Sequence, residues 1–442
     1  MDGSGTATLV AAEGVTAAFN AEAVERLALR GPDWLAELRR EAWATYERTP
    51  LPTTALEEWR YTEVSQLSLD AYRLPDEAPS ADATAAGSAL LDGRAAAGRV
   101  VIVDGVVVEV GLDPALAARG VVLSDLATAV ETHGELVRQY LGREVTPAFS
   151  KFAALSGALW SGGVFLHVPR GVEIEQPIRV ARWLSQGGIA VFPRTLIIAE
   201  PGARIDFVDE MRSPDFGEPS LSCGAVEVIA QDAAQVHYVA LQRWGRGVRH
   251  LSMQKTIASR DADLDTLVVN LGGDLARVDL HAWLDGPGAR SDMLGLYFGE
   301  RDQHFDHNTR QDHKAPHAES DLLYKGALYD SSRAVFRGII RVHPGAQHTD
   351  AYQTNRNLLL SDSARADSLP NLEIEADDVK CSHGATVGQL DEEELFYLMA
   401  RGIPRPQAER LVVFGFFGEV LDRLPMPAVV EELREAITAK IA

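Results

Sequence analysis

Two cysteines, Cys223 and Cys381, are the whole thiol content of this 442-residue chain. They stand far apart in sequence, which argues against a disulfide framework and fits a reducing, cytoplasmic compartment. With so few thiols and no Cys-x-x-Cys, the chain cannot hold a metal cluster by its own thiolates alone. Positive charge is also short: 42 Lys and Arg stand against 64 Asp and Glu, for a net charge of -22. Nucleic acid is an unfitting partner for such a balance, because phosphate binding needs clustered Lys and Arg. No Gly-x-x-x-x-Gly-Lys-Ser/Thr occurs, so the chain should have no ATP site of its own. The start, Met1-Asp2-Gly3-Ser4-Gly5, lacks the basic and apolar regions of an export signal. Leu411 to Phe417 is too short for a membrane span.

What remains is ordinary for a soluble globular protein: 46% hydrophobic and 24% charged residues, with enough length for two or three domains. Residues 1–98 read as a helical region and linker. Asn20 caps a helix carrying Val24, Leu27 and Ala28 on one face, which Gly31-Pro32 ends. Asp33 opens a second amphipathic helix through Tyr46, stopped before Pro50. Glu58-Trp59-Arg60-Tyr61-Thr62 follows, with Trp59 and Tyr61 as large anchors for a helical lobe. From Asp76 to Gly98 small residues dominate and predict a loose connection. Residues 99–160 form a mixed connecting region, a hairpin around Asp104-Gly105 and then helices from 122 to 160.

The period then becomes strand-like, and the turns resemble one another. They read Pro201-Gly202-Ala203-Arg204, Asp232-Ala233-Ala234-Gln235, Asp261-Ala262-Asp263, Pro287-Gly288-Ala289-Arg290, Pro344-Gly345-Ala346-Gln347 and Asp362-Ser363-Ala364-Arg365. The alanines recur after 31 residues (Ala203 to Ala234), 28 (to Ala262), 27 (to Ala289) and 57 (to Ala346), the last about twice the others. Small corners at a fixed interval are what a stacked β-solenoid demands, since each coil must turn where its neighbours turn. A β-sandwich has short strands too, but no reason to repeat its corners. The fold class expected is mainly β, a right-handed parallel β-helix core over 161–388 flanked by helical regions. Residues 389–442 form the C-terminal helical domain, with faces Leu395/Leu398/Met399, Ala408/Leu411/Val412/Phe416 and Val430/Leu433/Ile437. Gly415 and Gly418 inside the second helix cost stability relative to Ala and suggest either close approach by another backbone or, as is more common, tight packing within the chain.

Chemistry concentrates in two places. Between Pro370 and Gly388, Leu372, Ile374 and Ala376 alternate with Glu373, Glu375 and Asp377, and Cys381 and His383 keep that period. If one strand runs through them, thiol and imidazole emerge side by side until Gly384 breaks it; Asp391 to Glu394 then starts a helix. One Cys and one His cannot fill a tetrahedral site. Either they are a buried thiol beside a hydrogen-bonded His, or a second subunit supplies the missing ligands. The other cluster, His304, Asp306, His307, Asp312, His313, His317 and Ser320, invites a metal reading or a hydrogen-bonding one. Pro316 and the missing Glu disfavour a zinc-protease helix.

Four stretches carry a resemblance: Glu58-Trp59-Arg60-Tyr61-Thr62, Val168-Pro169-Arg170-Gly171-Val172, the His304 to Ser320 cluster, and Lys380-Cys381-Ser382-His383-Gly384-Ala385-Thr386 with Leu395-Phe396-Tyr397-Leu398 and Arg401-Gly402-Ile403. From about residue 30 to 425 the chain resembles the SufB/SufD family of iron-sulfur cluster assembly proteins. The resemblance implies the β-helix with helical flanks, and a cytoplasmic complex with the paralogue SufB and the ATPase SufC, the latter on the C-terminal helices. It implies that His383 faces a SufB cysteine across the boundary where clusters form, with Cys381 as its neighbour. A transient cluster or iron is then held between subunits. Ala364, where SufB has a cysteine, and Ser382 and Gly384, where SufB has Glu, favour the SufD side of the family. Two rivals stand beside this scaffold reading. One is a homodimeric member; the other is a secreted-type β-helix enzyme acting on polysaccharide through Asp302, Asp306 and Asp312.

Overall fold

The computed structural model describes residues 19–441 except Gln66, Ser68, Asp76 and Glu77, so the start at Met1 to Gly5 lies outside it. Two ten-stranded sheets face each other, and the chain crosses between them at almost every turn. One sheet runs from the hairpin Gly98–Val103/Val106–Leu112 through Ile178–Trp183, Arg204–Arg212, Gln235–Arg243, Asp263–Asn270, Arg290–Gly299, Glu319–Leu328 and Asp350–Leu359 to Lys380–Gln389. The other starts at Val122–Asp125 and Gly163–Val168 and ends at Arg333–Val342 and Arg365–Ile374. Every pairing between two strands that both lie at or beyond Gly163 is parallel, for instance Gln235 on Arg204 and Asp263 on Gln235. This is the expected parallel β-solenoid. One coil is two strands and two corners, which is why the sequence interval is near thirty.

The corners explain their own residues. Ala203, Ala234, Ala262 and Ala289 are buried where the chain turns inward, and Ala318, at His317-Ala318-Glu319, divides the 57-residue interval. Just before each alanine a residue takes positive φ: Gly202, Ala233, Asp261, Gly288 and His317, at 54° to 73°. Its N–H donates to the next coil's corner, as from Gly202 to Asp232 and from His317 to Gln347, both 2.9 Å. Glycine adopts that conformation freely; the others are held there by the stacked ladder. Ala364 belongs to the opposite corner, before Arg365.

Both ends of the solenoid meet helices. Asn20 caps Ala21–Ala28 by accepting from Ala23 N at 2.9 Å, and Asp33–Arg48 follows. These pack with Lys151–Leu159 against Leu221, Cys223 and Ala225 on the outer face of one sheet. Trp59 is buried between Phe152 and the Arg277 guanidinium, 3.7 Å from its ring, so the anchor reading holds. Thr62 donates to Asp306 at 2.5 Å and lies 2.9 Å from His304 Nε2, fastening this lobe to the coils. The small-residue stretch is not a loose connection: Ala81–Ala89 is a helix, capped by Ser80. Its Gly87 lies against Val101 and Val103, where any larger residue would collide.

The C-terminal helices Glu392–Ala400, Arg405–Leu421 and Pro427–Ile441 are docked by ions on the first sheet. Arg423 bridges Asp292 (2.7 Å) and Asp321 (3.0 Å), and the Lys325 ammonium donates to Phe416 O at 2.9 Å. Two expected faces are corrected. In the first helix only Leu395 is buried. In the second, Val413, Phe417, Val420 and Leu421 meet the solenoid while Leu411 is exposed: the stretch 411–418 is apolar on every side, and the bonds of Arg423 and Lys325 to the sheet and helix fix which side turns inward. A Cβ on Gly415 or Gly418 would meet no atom of the described residues within 4 Å beyond the helix's own backbone, so tight internal packing does not account for them.

His250, His307 and His313 lie inside the coils, their pKa values pushed by burial down to about 3, 4 and 4. Each stays neutral in the fold, while the unfolded chain takes up a proton below about pH 6.5. Their share of stability is therefore complete above that pH and is lost as pH falls toward 4, by roughly 1.4 kcal/mol per histidine per pH unit. The urea midpoint should drop between pH 7 and pH 5, and His307→Asn should flatten the drop. An identical pH dependence in that variant refutes this origin.

Candidate functional site

The two solenoid ends are built differently. At the first, antiparallel strands cover the sheet edges: Val106–Leu112 on one sheet and Val122–Asp125 on the other. At the last, Arg365–Ile374 and Lys380–Gln389 are the outermost strands, and no strand among the described residues pairs with their free edges. Backbone N–H and C=O groups along such edges are a template for another chain.

Cys381 and His383 lie on this terminal coil. Cys381 is in register with Ala351 and His383 with Gln353, whose side chains face the solenoid interior. Both therefore stand on the inner face, two residues apart, as the alternation predicts. With no further coil stacked above, the His383 side chain is exposed. Cys381 is half-buried and packs with Leu372, Ala376 and Val379 on Ile340, Val342 and Ala351. Burial pushes its thiol pKa up, and Asp350 adds to the shift.

The expected single strand through both motifs is corrected. Arg365–Ile374 ends at Ile374, residues 375–379 form a corner, and Lys380–Gln389 begins in the other sheet. Acidic corner residues happen to continue the alternation, which hides the break. Gly384 does not end the strand but lies within it, paired with Thr354. The neighbouring carboxylates are engaged elsewhere: Glu375 with Arg341 at 3.1 Å and Asp378 with His348 at 3.0 Å. Among the described residues no group of three or more His, Cys, Asp or Glu is placed to hold a metal ion.

The His304 cluster is a different object. Its residues alternate along His304–His313, so His307 and His313 face inward while His304, Asp306 and Asp312 face outward. Asp306 is tied to Thr62 and Arg277, both at 2.5 Å, and Asp312 to Arg310 at 2.5 Å and His343 at 3.0 Å. These are hydrogen-bonding roles. The three aspartates also form no glycosidase pair: Asp302 is bound at 2.5 Å by Arg246, and Asp306 and Asp312 are six strand residues apart, roughly 20 Å.

One constellation escaped the sequence reading. Asp206, His237 and Asp265 are in register on the outside of the first sheet, followed by Asp292 and Asp321. His237 Nδ1 is 2.7 Å from Asp206. Asp265 is pushed up to about 7 by burial, with Asp263 adding to it. These residues repeat at the coil interval, so the corner spacing could have found them.

A parallel solenoid closed by antiparallel strands at one end, with free strand edges at the other among the described residues, defines the class of protein to which this fold belongs. The comparisons give the family. Residues 182–416 match the SUF system FeS cluster assembly, SufBD core domain, and residues 17–180 match the SufBD protein N-terminal region. An iron-sulfur cluster assembly SufBD family protein of Staphylococcus saprophyticus is 31% identical over 320 residues, 72% of this chain and 69% of the relative. Others of the same description in Staphylococcus haemolyticus and Staphylococcus aureus are 28% identical over 408 residues, 90% of this chain and 88% of theirs. The chain belongs to the SufBD family of iron-sulfur cluster assembly proteins. Among the described residues no helix is long and apolar enough to cross a membrane.

The two thiols should differ in reactivity. Cys223 is fully buried with its pKa pushed far up by desolvation, whereas Cys381 is half-exposed. Iodoacetamide on the folded chain at pH 8 should label Cys381 slowly and leave Cys223 untouched, read by mass spectrometry. Equal labelling would contradict this burial.

Proposed function

We propose that this chain is a SufD-type, non-catalytic scaffold subunit of the SUF assembly system. In this reading it pairs with SufB along the open terminal coil, and His383 donates to a transient cluster or iron held between the subunits. The observation that carries it is the exposed His383 on the inner face of an uncapped coil, beside free strand edges. A coordinating imidazole must be neutral and accessible, and the ligands this chain lacks must come from across the boundary. Cys381, with its raised pKa, is the weaker donor, since only the thiolate binds metal. The cluster is cargo, so the incomplete set is an advantage: two donors release what four would keep.

The same reading docks SufC on the C-terminal helices. Phe396, Tyr397 and Met399 are exposed on Glu392–Ala400, and Leu411 is exposed with the bare faces of Gly415 and Gly418 one and two turns on. An apolar patch of this kind supports a partner surface. The ion pairs of Arg423 and Lys325 join these helices to the coils, so motion of an ATPase there would reach the open end.

His383→Ala should leave co-purification with SufB and SufC unchanged. Cluster formed on the complex, read by absorption and iron content, should fall roughly tenfold or more, since even outer-shell partners of ligands are worth ~10–100-fold. Normal cluster output would exclude the ligand role, and a stable pair of this chain with itself, unaffected by SufB, would favour the homodimer instead.

Phe396→Asp combined with Leu411→Arg should abolish SufC co-purification and spare SufB. Retention of SufC would exclude this surface.

A further inference from the structure

The strand His304–His313 breaks the pattern of the layers around it. Its inward His307, Thr309, Gln311 and His313 stack on Val278, Leu280, Ala282 and Leu284 of one neighbouring strand and on Phe336, Gly338, Ile340 and Val342 of the other. One polar rung thus lies between two that carry no polar side chain, and all four of its side chains are buried. Across the interior stand Ser320, Tyr324 and Gln353, buried as well.

Direct bonds satisfy only part of this set. Asn270 Nδ2 donates to His307 Nε2 at 2.8 Å, which puts the ring proton of this neutral imidazole on Nδ1. Gln311 Nε2 donates to Ser320 Oγ at 2.7 Å, and the Ser320 proton is then free for His313 Nε2 at 2.8 Å, again leaving Nδ1–H. Gln353 Nε2 donates to Asn371 O at 3.1 Å. Six atoms have no hydrogen-bond partner among the described residues: His307 Nδ1, Thr309 Oγ1, Gln311 Oε1, His313 Nδ1, Tyr324 Oη and Gln353 Oε1.

Two are N–H donors, two are amide acceptors and two are hydroxyls that can do either. Leaving all six unpaired would offset a large part of a domain's net stability. Their apolar neighbours offer nothing to them. A molecule that both donates and accepts, and is no larger than the interstices of a packed interior, meets the requirement. Gly338 helps to make room, since a Cβ there would collide with Gln353 Oε1.

We propose that this rung binds a row of internal water molecules bridging the six atoms. The row lies beneath the open coil, and Gln353, one of its members, is the in-register neighbour of His383. The exposed imidazole therefore stands over a hydrated layer rather than a dry one.

The test uses the full chain. Oxygen-17 relaxation dispersion should show long-lived internal waters, and a high-resolution crystal structure should show ordered water within hydrogen-bonding distance of these atoms. Thr309→Val and Tyr324→Phe should each lose at least one such water and melt a few degrees lower. A dry rung, or variants that are as stable as or more stable than the parent, would overturn the proposal. So would density for an ion or a larger molecule at these atoms. The wild-type measurements decide the matter even if a variant fails to fold.

Discussion

Every coil of a parallel solenoid satisfies the backbone of the coil before it and leaves its own far edge unsatisfied. That debt passes along the stack until something ends it. Here the first coils are closed by antiparallel strands of the same chain, Val106–Leu112 and Val122–Asp125, while the last coil passes its free edges to the exterior. The molecule is thereby polarised: one end is finished and the other asks for a neighbour. Its candidate chemistry lies at the unfinished end.

Stacking also explains why small residues recur where they do. A corner alanine is sealed between the coils on either side, so a larger side chain there would push successive coils apart. Inside the stack, pairs of residues share space across adjacent coils. A Cβ on Gly295 or Gly326 would collide with the ring of Tyr324 or Tyr297, and those rings fill the interior in their place. The outer faces do other work, binding the N-terminal lobe through Arg277, Thr62 and Asp306 and the C-terminal helices through Arg423, Asp292 and Asp321. Helical flanks and solenoid are thus one mechanically connected body.

The same geometry sets the terminal coil apart from those beneath it. On the inner face of the final coil an interior position is also exposed, because no further coil among the described residues covers it. A side chain in that position is aligned by the register beneath it, yet reachable from outside. His383 has both properties; Cys381, one step nearer the corner, is half covered by Ile340, Val342 and Ala351 and has the less available donor.

The repeat was readable from the chain alone, since a corner that must be small appears as alanine at the coil interval, and strands between corners alternate. Ala318 escaped because His317 takes the positive-φ position that glycine, alanine or aspartate holds at the other corners. The helix Ala81–Ala89 escaped because its residues are small enough to pass for a linker, although smallness is what lets it lie on Val101 and Val103. Alternation likewise located Cys381 and His383 on one face, but not the corner before them, whose acids imitate a strand. Local pattern was enough for the period, the residues that keep it, and the pairing of a thiol with an imidazole. Only the tertiary structure decided which coil is last, which face of each helix turns inward and which polar residues are buried, because those follow from contacts between segments that local periodicity does not record.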